Sequence, residues 1–300
     1  MTAPPPGPAS DATSPRPGLV LLALVALYFI WGSTYFAIRV AIVGFPPLLM
    51  AGSRFVLAGG ALYLVLRARG TPRPPWREWR AGALVGTLLC AANGLVTVAE
   101  QWVSSSVTAV IVSSLPLWTV LVAAAWRERP TGGEVAGILL GLTGVAVLQS
   151  GGELRGAPLG AFLVVASTWC WALGSIWSRR LPMPPGLMAS ATEMLAGGVM
   201  LTAAGLASGE QVVSAPGWPA VGAWLYLTVF GSLVAFTAYN FLLRRVRPAL
   251  ATSYAYVNPA VAVAIGAAAG EPVGWRALVA LALILAGVAV VAAVKASART

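Results

Sequence analysis

The chain has 300 residues, of which 58% are apolar and 9% are charged. A soluble domain carries about 25% charged residues, so this composition excludes a water-soluble protein. The net charge is +10, histidine is absent, and both cysteines, Cys90 and Cys170, lie inside apolar stretches. Histidine proton relays, His/Cys metal sites and cysteine–histidine nucleophile pairs are therefore excluded, and no cofactor is expected.

Apolar runs bounded by charged residues, proline or glycine indicate ten membrane-spanning helices. About 20 apolar residues cross a bilayer as a helix, and a helix satisfies its own backbone hydrogen bonds in lipid. The composition therefore predicts an all-α integral membrane protein. The predicted spans are residues 19–38, 47–66, 80–99, 106–125, 134–149, 159–178, 186–206, 221–242, 249–269 and 276–294.

Basic residues are distributed unevenly between the two sides of these spans. With the N-terminus inside, the inner segments carry 15 of the 19 Lys and Arg residues, the outer loops carry three, and one lies within a span. The positive-inside rule then predicts that both termini are cytoplasmic. The same distribution favours contact with membrane lipid over nucleic-acid binding. Residues 1–18, with six prolines, are predicted to form a disordered cytoplasmic tail, and residues 295–300 a second cytoplasmic tail.

The chain contains an internal repeat. The segments PPLLMAGSRFVLAGG (46–60) and PPGLMASATEMLAGG (184–198) agree at nine of 15 positions without a gap, and Trp31 and Trp171 match at a similar offset. Because the repeat unit contains five spans, an odd number, the second copy enters the membrane from the opposite side. The sequence thus predicts two inverted five-helix repeats. They comprise residues 19–149 and 159–294.

Three further segments combine aromatic, glycine and proline residues: YFIWGSTYFAIR (28–39), SSLPLWTVLVAAAWRERP (113–130) and YVNPAVAVAIGAAAGEP (256–272). Together with Pro46 and Arg54 of the second span, they resemble the drug/metabolite transporter superfamily, specifically the EamA-type bacterial exporters. The resemblance covers the chain after residue 18. It implies a ten-helix fold in the bacterial cytoplasmic (inner) membrane and a cargo of amino acids, other small metabolites or cationic drugs.

Two ionisable residues lie near the middle of predicted spans, Arg54 in the second and Glu193 in the seventh. A charged side chain at this depth is costly and marks a functional site by default. The two residues can form an ion pair that holds the halves together. Alternatively, either charge can bind a carboxylate or amine of the substrate. The sequence leaves both interpretations open.

Polar and aromatic residues recur at i, i+3 and i+4 spacing on single faces of several spans, and such faces avoid lipid. Converging faces predict a central cavity with aromatic walls and amide or hydroxyl groups, as in small-molecule sites. Pro116 and Pro259, at equivalent points of the repeats, are expected to loosen the helices beside it. The predicted substrate-binding residues are Trp31, Tyr35, Arg54, Asn93, Gln101, Trp171, Ser175, Glu193, Tyr239, Asn240, Tyr256 and Asn258.

The predicted function is export of amino acids or related small metabolites by alternating access between the two repeats. Export of cationic drugs is the alternative, because aromatic walls also bind amines. An integral-membrane enzyme is disfavoured, since no paired acids, His cluster or Ser/Lys constellation occurs at one depth. A channel is a further alternative. No Gly-rich GK[ST] loop is present, so ATP hydrolysis by the chain is not expected, and the sequence predicts neither coupling ion nor oligomeric state.

Overall fold

The computed structural model describes residues 17–124, 131–149, 157–246 and 254–297, which form helices joined by turns and loops. No strand occurs within these ranges. Each helical stretch overlaps one of the predicted apolar segments. In chain order they are α1 (Pro17–Ala41), α2 (Pro47–Ala68), α3 (Trp76–Ala99), α4 (Ser105–Ala124), α5 (Gly132–Gln149), α6 (Pro158–Arg180), α7 (Leu187–Ala207), α8 (Trp218–Tyr226, Leu227–Val234 and Ala235–Arg245), α9 (Tyr254–Ala268) and α10 (Trp275–Ser297).

In the described part of the chain, seven stretches are long and apolar enough to cross a membrane, namely α1 to α4 and α6 to α8. The apolar parts of α5, α9 and α10 are shorter, Gly132–Val147, Val257–Ala268 and Trp275–Val291. Helix α10 includes residues 295–297 of the predicted C-terminal tail and ends at Ser297, and residues 298–300 of that tail lie outside the described residues. Residues 1–16 of the predicted N-terminal tail lie outside the described residues.

Proline affects two equivalent helices differently. In α4, the helix is interrupted after Val112 and resumes at Leu115, directly before Pro116. In α9, the helix continues through Pro259. The loosening expected at both prolines is therefore observed as a break only in α4. The hydroxyls of Ser113 and Ser114 donate to carbonyl oxygens three residues earlier, both at 2.6 Å, and satisfy acceptors at this break.

Two helices end in a glycine turn that directs a glutamate towards another helix. Gly209 after α7 and Gly270 after α9 have φ values of +81° and +86°, in the left-handed region that glycine favours. The residues that follow, Glu210 and Glu271, donate their backbone N–H to a carbonyl oxygen five residues earlier, at 2.9 and 2.8 Å. The turn therefore reverses the chain at each helix end and fixes the position of the glutamate.

The two glutamates cap helices that are distant in sequence. Glu210 accepts hydrogen bonds from the backbone N–H groups of Leu48 and Leu49 at the start of α2, at 3.1 and 2.8 Å. Glu271 accepts from the hydroxyls of Ser105 and Ser106 at the start of α4, both at 2.8 Å. The first N–H groups of a helix lack intrahelical partners, and the helix dipole favours a negative charge there. We refer to the end of the bundle where these glutamates lie as the capped end.

Glycine allows the closest helix contacts. The main contacts join α2 with α7, α5 with α10, α1 with α8, and α3 with both α6 and α7. A Cβ atom added at Gly137 of α5 would lie 2.7 Å from the carbonyl oxygen of Gly287 in α10. In lipid, where burial of apolar surface does not drive association, such backbone proximity supplies the van der Waals packing between helices.

Substitution of Gly137 by alanine is expected to destabilise the protein by about 1–3 kcal/mol, because the added methyl group overpacks the contact between α5 and α10. The matched control is Gly222→Ala in α8, where an added Cβ has no neighbour within 4 Å. The measurement is the midpoint of thermal unfolding in detergent. An equal midpoint for the two variants would contradict the tight contact.

The cap formed by Glu271 predicts a pH dependence of stability. Burial raises the pKa of this carboxyl, but the hydrogen bonds from Ser105 and Ser106 outweigh burial and hold the pKa below its ordinary value of 4.5. Because the folded-state pKa is lowered, the stabilisation is present above pH 4.5 and is lost as the pH falls through the folded-state pKa. The site is half-exposed, so we expect a contribution of about 1 kcal/mol at most.

Thermal unfolding of the wild type and of Glu271→Gln at about pH 7 and about pH 3 measures this contribution. The wild type should be the more stable protein at neutral pH, and the difference should shrink in acid. A difference that stays constant between the two pH values would argue against a carboxylate cap.

Candidate functional site

A cavity of about 610 Å³, counting the open space at its mouth, lies between α1, α3, α4, α6, α8 and α9. Its walls combine aromatic and aliphatic side chains with a few hydroxyl and amide groups, as the walls of small-molecule sites do. The residues that line it are Trp31, Thr34, Tyr35, Ile38, Ala92, Asn93, Val96, Val112, Leu115, Ser167, Thr168, Trp171, Phe236, Tyr254 and Asn258.

The aromatic wall of the cavity is built around Trp31. The Trp31 ring centroid lies 5.5 Å from that of Trp171, 5.2 Å from that of Tyr239 and 5.0 Å from that of Tyr254. The ring of Phe236 lies at 6.0 Å from both Trp31 and Trp171. Edge-to-face contacts at these distances are favourable and restrict the rotamers of the rings. Side chains from α1, α6, α8 and α9 therefore form one aromatic cluster.

Two π-helical segments meet beside this cluster, Leu27–Trp31 in α1 and Leu227–Val234 in α8. The indole Nε1 of Trp31 donates to the carbonyl oxygen of Gly231 at 3.2 Å. A π-helical turn contains an extra residue and widens the helix, and such turns occur frequently at functional sites. The geometry of both helices is thus irregular where they border the cavity.

Arg54 lies directly behind the cavity wall. It is 2% exposed, and one terminal guanidinium nitrogen donates to Oδ1 of Asn93 at 3.0 Å. Its guanidinium carbon lies 4.4 Å from the ring centroid of Phe55, a cation–π contact. These described contacts of Arg54 go to Asn93 and Phe55, not to Glu193. Arg54 therefore contributes to the cavity through Asn93, and the ion pair considered from the sequence is not among its described contacts.

Seven of the predicted site residues lie in or next to the cavity. Trp31, Tyr35, Asn93, Trp171 and Asn258 line it. Tyr239 belongs to the aromatic cluster, and Arg54 is one hydrogen bond away.

Four of the other predicted residues do not line the cavity. Glu193 is buried in α7, where its backbone contacts Gly86 of α3. Asn240 donates to the hydroxyl of Ser190 and so joins α8 to α7. Ser175 in α6 and Gln101 are not among the cavity-lining residues, and Gln101 is exposed after the end of α3. The side chain of Tyr256 lies outside the described part of the structure.

Several lining residues were missed from the sequence although the same spacing indicates them. Tyr254 precedes Asn258 by four residues, and Ser167 precedes Trp171 by four. The predicted binding residues of α6 were Trp171 and Ser175, one turn later. The cavity is instead lined by Trp171 and by Ser167 and Thr168, one turn earlier. Among the described residues, no group of three or more Cys, Asp or Glu side chains could hold a metal ion.

Helical spacing from Asn93 and Thr97 leaves Glu100 and Gln101 as alternatives at the end of the polar face of α3, and the structure buries Glu100. Its side chain is 0% exposed, and neither carboxyl oxygen has a hydrogen-bond partner among the described residues. The guanidinium of Arg39 donates instead to the backbone carbonyl oxygens of Glu100, at 2.6 Å, and of Val103, at 3.2 Å. A buried polar group without a partner requires an explanation beyond packing.

The solved structures include a crystal structure that resembles this fold with a TM-score of 0.66 and 23% sequence identity, over 93% of this chain and 99% of that chain. Among curated proteins, YedA, an inner membrane transporter of Escherichia coli (strain K12), is 47% identical over 265 residues, which cover 85% of this chain and 86% of YedA.

A "probable terminal-alkyne amino-acid exporter" of Streptantibioticus cattleyicolor is 28% identical over 270 residues, 89% of this chain and 91% of that protein. A "probable amino-acid metabolite efflux pump" of E. coli K12 is 28% identical over 179 residues, 56% of this chain and 55% of that protein. The model of the EamA-like transporter family matches twice, over residues 18–149 and over residues 158–293. The chain therefore belongs to the EamA-like transporter family.

Proposed function

We propose that the protein exports amino acids or related small metabolites across the bacterial inner membrane by alternating access. The observation that carries the proposal is the cavity between six helices, which combines an aromatic wall with Asn93, Asn258 and the hydroxyls of Ser167 and Thr168. A transporter needs such a central site between elements that can move relative to each other. The family and the inner membrane relative YedA support transport rather than catalysis.

The helix contacts support the proposal of ten spans in two inverted repeats. If each helix is replaced by its counterpart in the other half, α1 to α5 become α6 to α10 and the reverse. The contact of α3 with α6 then becomes the contact of α8 with α1. The contact of α3 with α7 becomes the contact of α8 with α2. Both members of each pair occur. The contacts of α2 with α7, α4 with α9 and α5 with α10 map onto themselves. The double match of the family model is a further argument for two equivalent halves.

Single contacts follow the same exchange. The GVAV segments of the two halves align Gly144 with Gly287 and, by the same offset, Gly137 with Ala280. An added Cβ at Gly137 would approach Gly287, and one at Gly144 would lie 2.8 Å from the carbonyl oxygen of Ala280. These two contacts between α5 and α10 interconvert when the halves are exchanged. The pseudo-symmetry required for alternating access is thus supported at the level of residues.

The polar groups of the cavity favour a zwitterionic or amide-bearing substrate. Arg54 supplies a positive charge behind Asn93, and its Nε has no hydrogen-bond partner among the described residues. The amide groups of Asn93 and Asn258 suit the polar groups of such a substrate, while the aromatic wall suits an apolar side chain. Two relatives named for amino-acid or amino-acid metabolite export agree with this assignment.

Liposomes that contain only this protein, assayed with radiolabelled amino acids and separately with a lipophilic cation, distinguish the two proposed cargo classes. Amino-acid flux with no cation flux supports the proposal. The reverse result favours the alternative of cationic drugs, which the aromatic cluster would bind through cation–π contacts.

Substitution of Trp171 by alanine should reduce flux at least about tenfold, because it removes an aromatic wall of the cavity and its partner contact with Trp31. Trp275→Ala is the matched control, since Trp275 is 65% exposed at the start of α10. Both variants are compared at equal protein content in liposomes. A similar loss of flux in both would contradict the position of the substrate in the cavity.

The orientation is tested with cysteines in two exposed loops at opposite ends of the bundle, Pro72→Cys after α2 and Ser214→Cys between α7 and α8. Because of the inner excess of basic residues, Ser214→Cys should react with an impermeant thiol reagent on intact cells and Pro72→Cys should not. The native Cys90 is buried, and the wild type serves as the background control. The opposite labelling pattern would reverse the predicted topology.

A further inference from the structure

Glu100 lies between the cavity and the capped end. It follows α3 directly, four residues after the cavity-lining Val96, or about 6 Å further along the helix axis. Its electrostatic effect also reaches Tyr35, another cavity-lining residue. The carboxyl is therefore close to the substrate site and, through the loop that follows α3, close to the capped end.

Charged and titratable groups from three other elements face this carboxyl in the described structure. Arg39 and Tyr35 belong to α1, Arg54 to α2, and Glu271 to the turn after α9. Each charged group is engaged elsewhere. Arg39 bonds backbone carbonyl oxygens, Arg54 bonds Asn93, and Glu271 caps α4. None of these described hydrogen bonds reaches the carboxyl oxygens of Glu100.

An ionised carboxylate in this position would lose its hydration without gaining hydrogen-bond donors, which is costly in a low-dielectric environment. Burial raises the pKa of Glu100 well above its ordinary value, Arg39 and Arg54 act in the opposite direction, and Glu271 adds to the increase. The arrangement of hydrogen bonds in this structure thus suits a neutral, protonated Glu100. The positive charges of Arg39 and Arg54 favour the ionised form, so both protonation states have electrostatic support at this position.

We infer that the Glu100 carboxyl is a proton-binding site that couples transport to a proton gradient. The inference rests on the proposed transport function. In the loading step, a carboxylate oxygen of Glu100 forms an O–H bond with a proton from a hydronium ion at the capped end, and the hydronium ion becomes water. Release reverses this step. In the predicted topology the capped end lies on the outer side of the membrane. An inward proton gradient has its higher proton concentration on that side, so protons load Glu100 from there.

Arg54 links the proton site to the cavity. When Glu100 is protonated, Arg54 donates to the amide oxygen of Asn93, as in this structure. When Glu100 is ionised, the carboxylate competes for Arg54 as a charged acceptor, and charge-assisted hydrogen bonds are the stronger ones. Loss of the bond from Arg54 changes the polar group that Asn93 presents to the substrate. The charge on Glu100 is thereby communicated to the binding site without direct contact with the substrate.

The proton site is tested without substrate by infrared difference spectroscopy of the purified full-length protein between alkaline and acidic pH. Wild type should show the carbonyl stretch of a buried protonated carboxylic acid. Glu100→Gln should lose this band, and Glu100→Asp should keep one because it retains a carboxyl. Glu210→Gln is the matched control, because Glu210 lies at the same end but is hydrogen-bonded to a helix N-terminus. An unchanged band in Glu100→Gln would overturn the inference.

Coupling is tested in liposomes across which a pH gradient is imposed. The substrate is a radiolabelled amino acid that the wild type exchanges across the membrane. For one proton per substrate molecule, a gradient of one pH unit supports a concentration ratio of at most about tenfold. Wild type and Glu210→Gln should show gradient-driven accumulation. Glu100→Gln should exchange the amino acid but accumulate none. Gradient-driven accumulation by Glu100→Gln would overturn the coupling role, whereas no exchange by wild type with any amino acid would overturn the proposed function and leave the infrared result to decide the proton site.

Discussion

The close contact between α2 and α7 is the constraint on which the arrangement of the cavity depends. Gly52 and Gly59 on α2 face the backbone of α7, and an added Cβ at Gly52 would lie 3.0 Å from the carbonyl oxygen of Gly198. Both α3 and α8 pack against this pair. Because Arg54 lies between the two glycines in sequence, the contact holds its guanidinium where it reaches Asn93 on α3. A wider spacing of the helices would separate the charge from the cavity.

Three glutamates near the capped end show how the environment decides the role of one residue type. Glu210 and Glu271 receive hydrogen bonds from the N-termini of α2 and α4, so their negative charges are stabilised and hold helices together. Glu100 lies at the C-terminal end of α3, where the helix dipole presents carbonyl oxygens and disfavours a negative charge. The two capping carboxyls therefore stabilise contacts between helices. The position of Glu100 at a helix C-terminus instead favours its neutral form.

The helices are well predicted from the sequence because lipid exposure requires long apolar segments, and charge, proline and glycine mark their ends. The cavity faces of α1 and α3 follow from helical periodicity, which explains why Trp31, Tyr35 and Asn93 were identified. Periodicity does not determine how far along a helix the cavity extends, and α6 is used before Trp171 rather than after it. Helical periodicity also ends where the helix ends. Because α3 ends at Ala99, its cavity-lining face could not be extrapolated to Gln101.

Contacts between distant residues are the part of the site that periodicity cannot provide. The hydrogen bond from Arg54 to Asn93 depends on the packing of α2 against α3. From the sequence alone, an ion pair with Glu193 would equally satisfy the rule that a buried charge needs a partner. The glycine turns before Glu210 and Glu271 are visible as Gly-Glu pairs in the sequence. Which helix each glutamate caps is decided by the three-dimensional arrangement alone.

The π-helical segment of α8 makes the aromatic cluster depend on the length of the chain as well as on its composition. A π turn accommodates one extra residue, which in a regular α-helix would rotate everything that follows it by about 100°. Phe236 and Tyr239 come after this segment, and their direction is therefore set by the number of residues between Leu227 and Val234. The corresponding helix α3 has no π segment among its described residues. If α8 became a regular α-helix between Leu227 and Val234 without losing a residue, both rings would turn away from Trp31, so a change that preserves the helix and its length would remove the wall of the cavity.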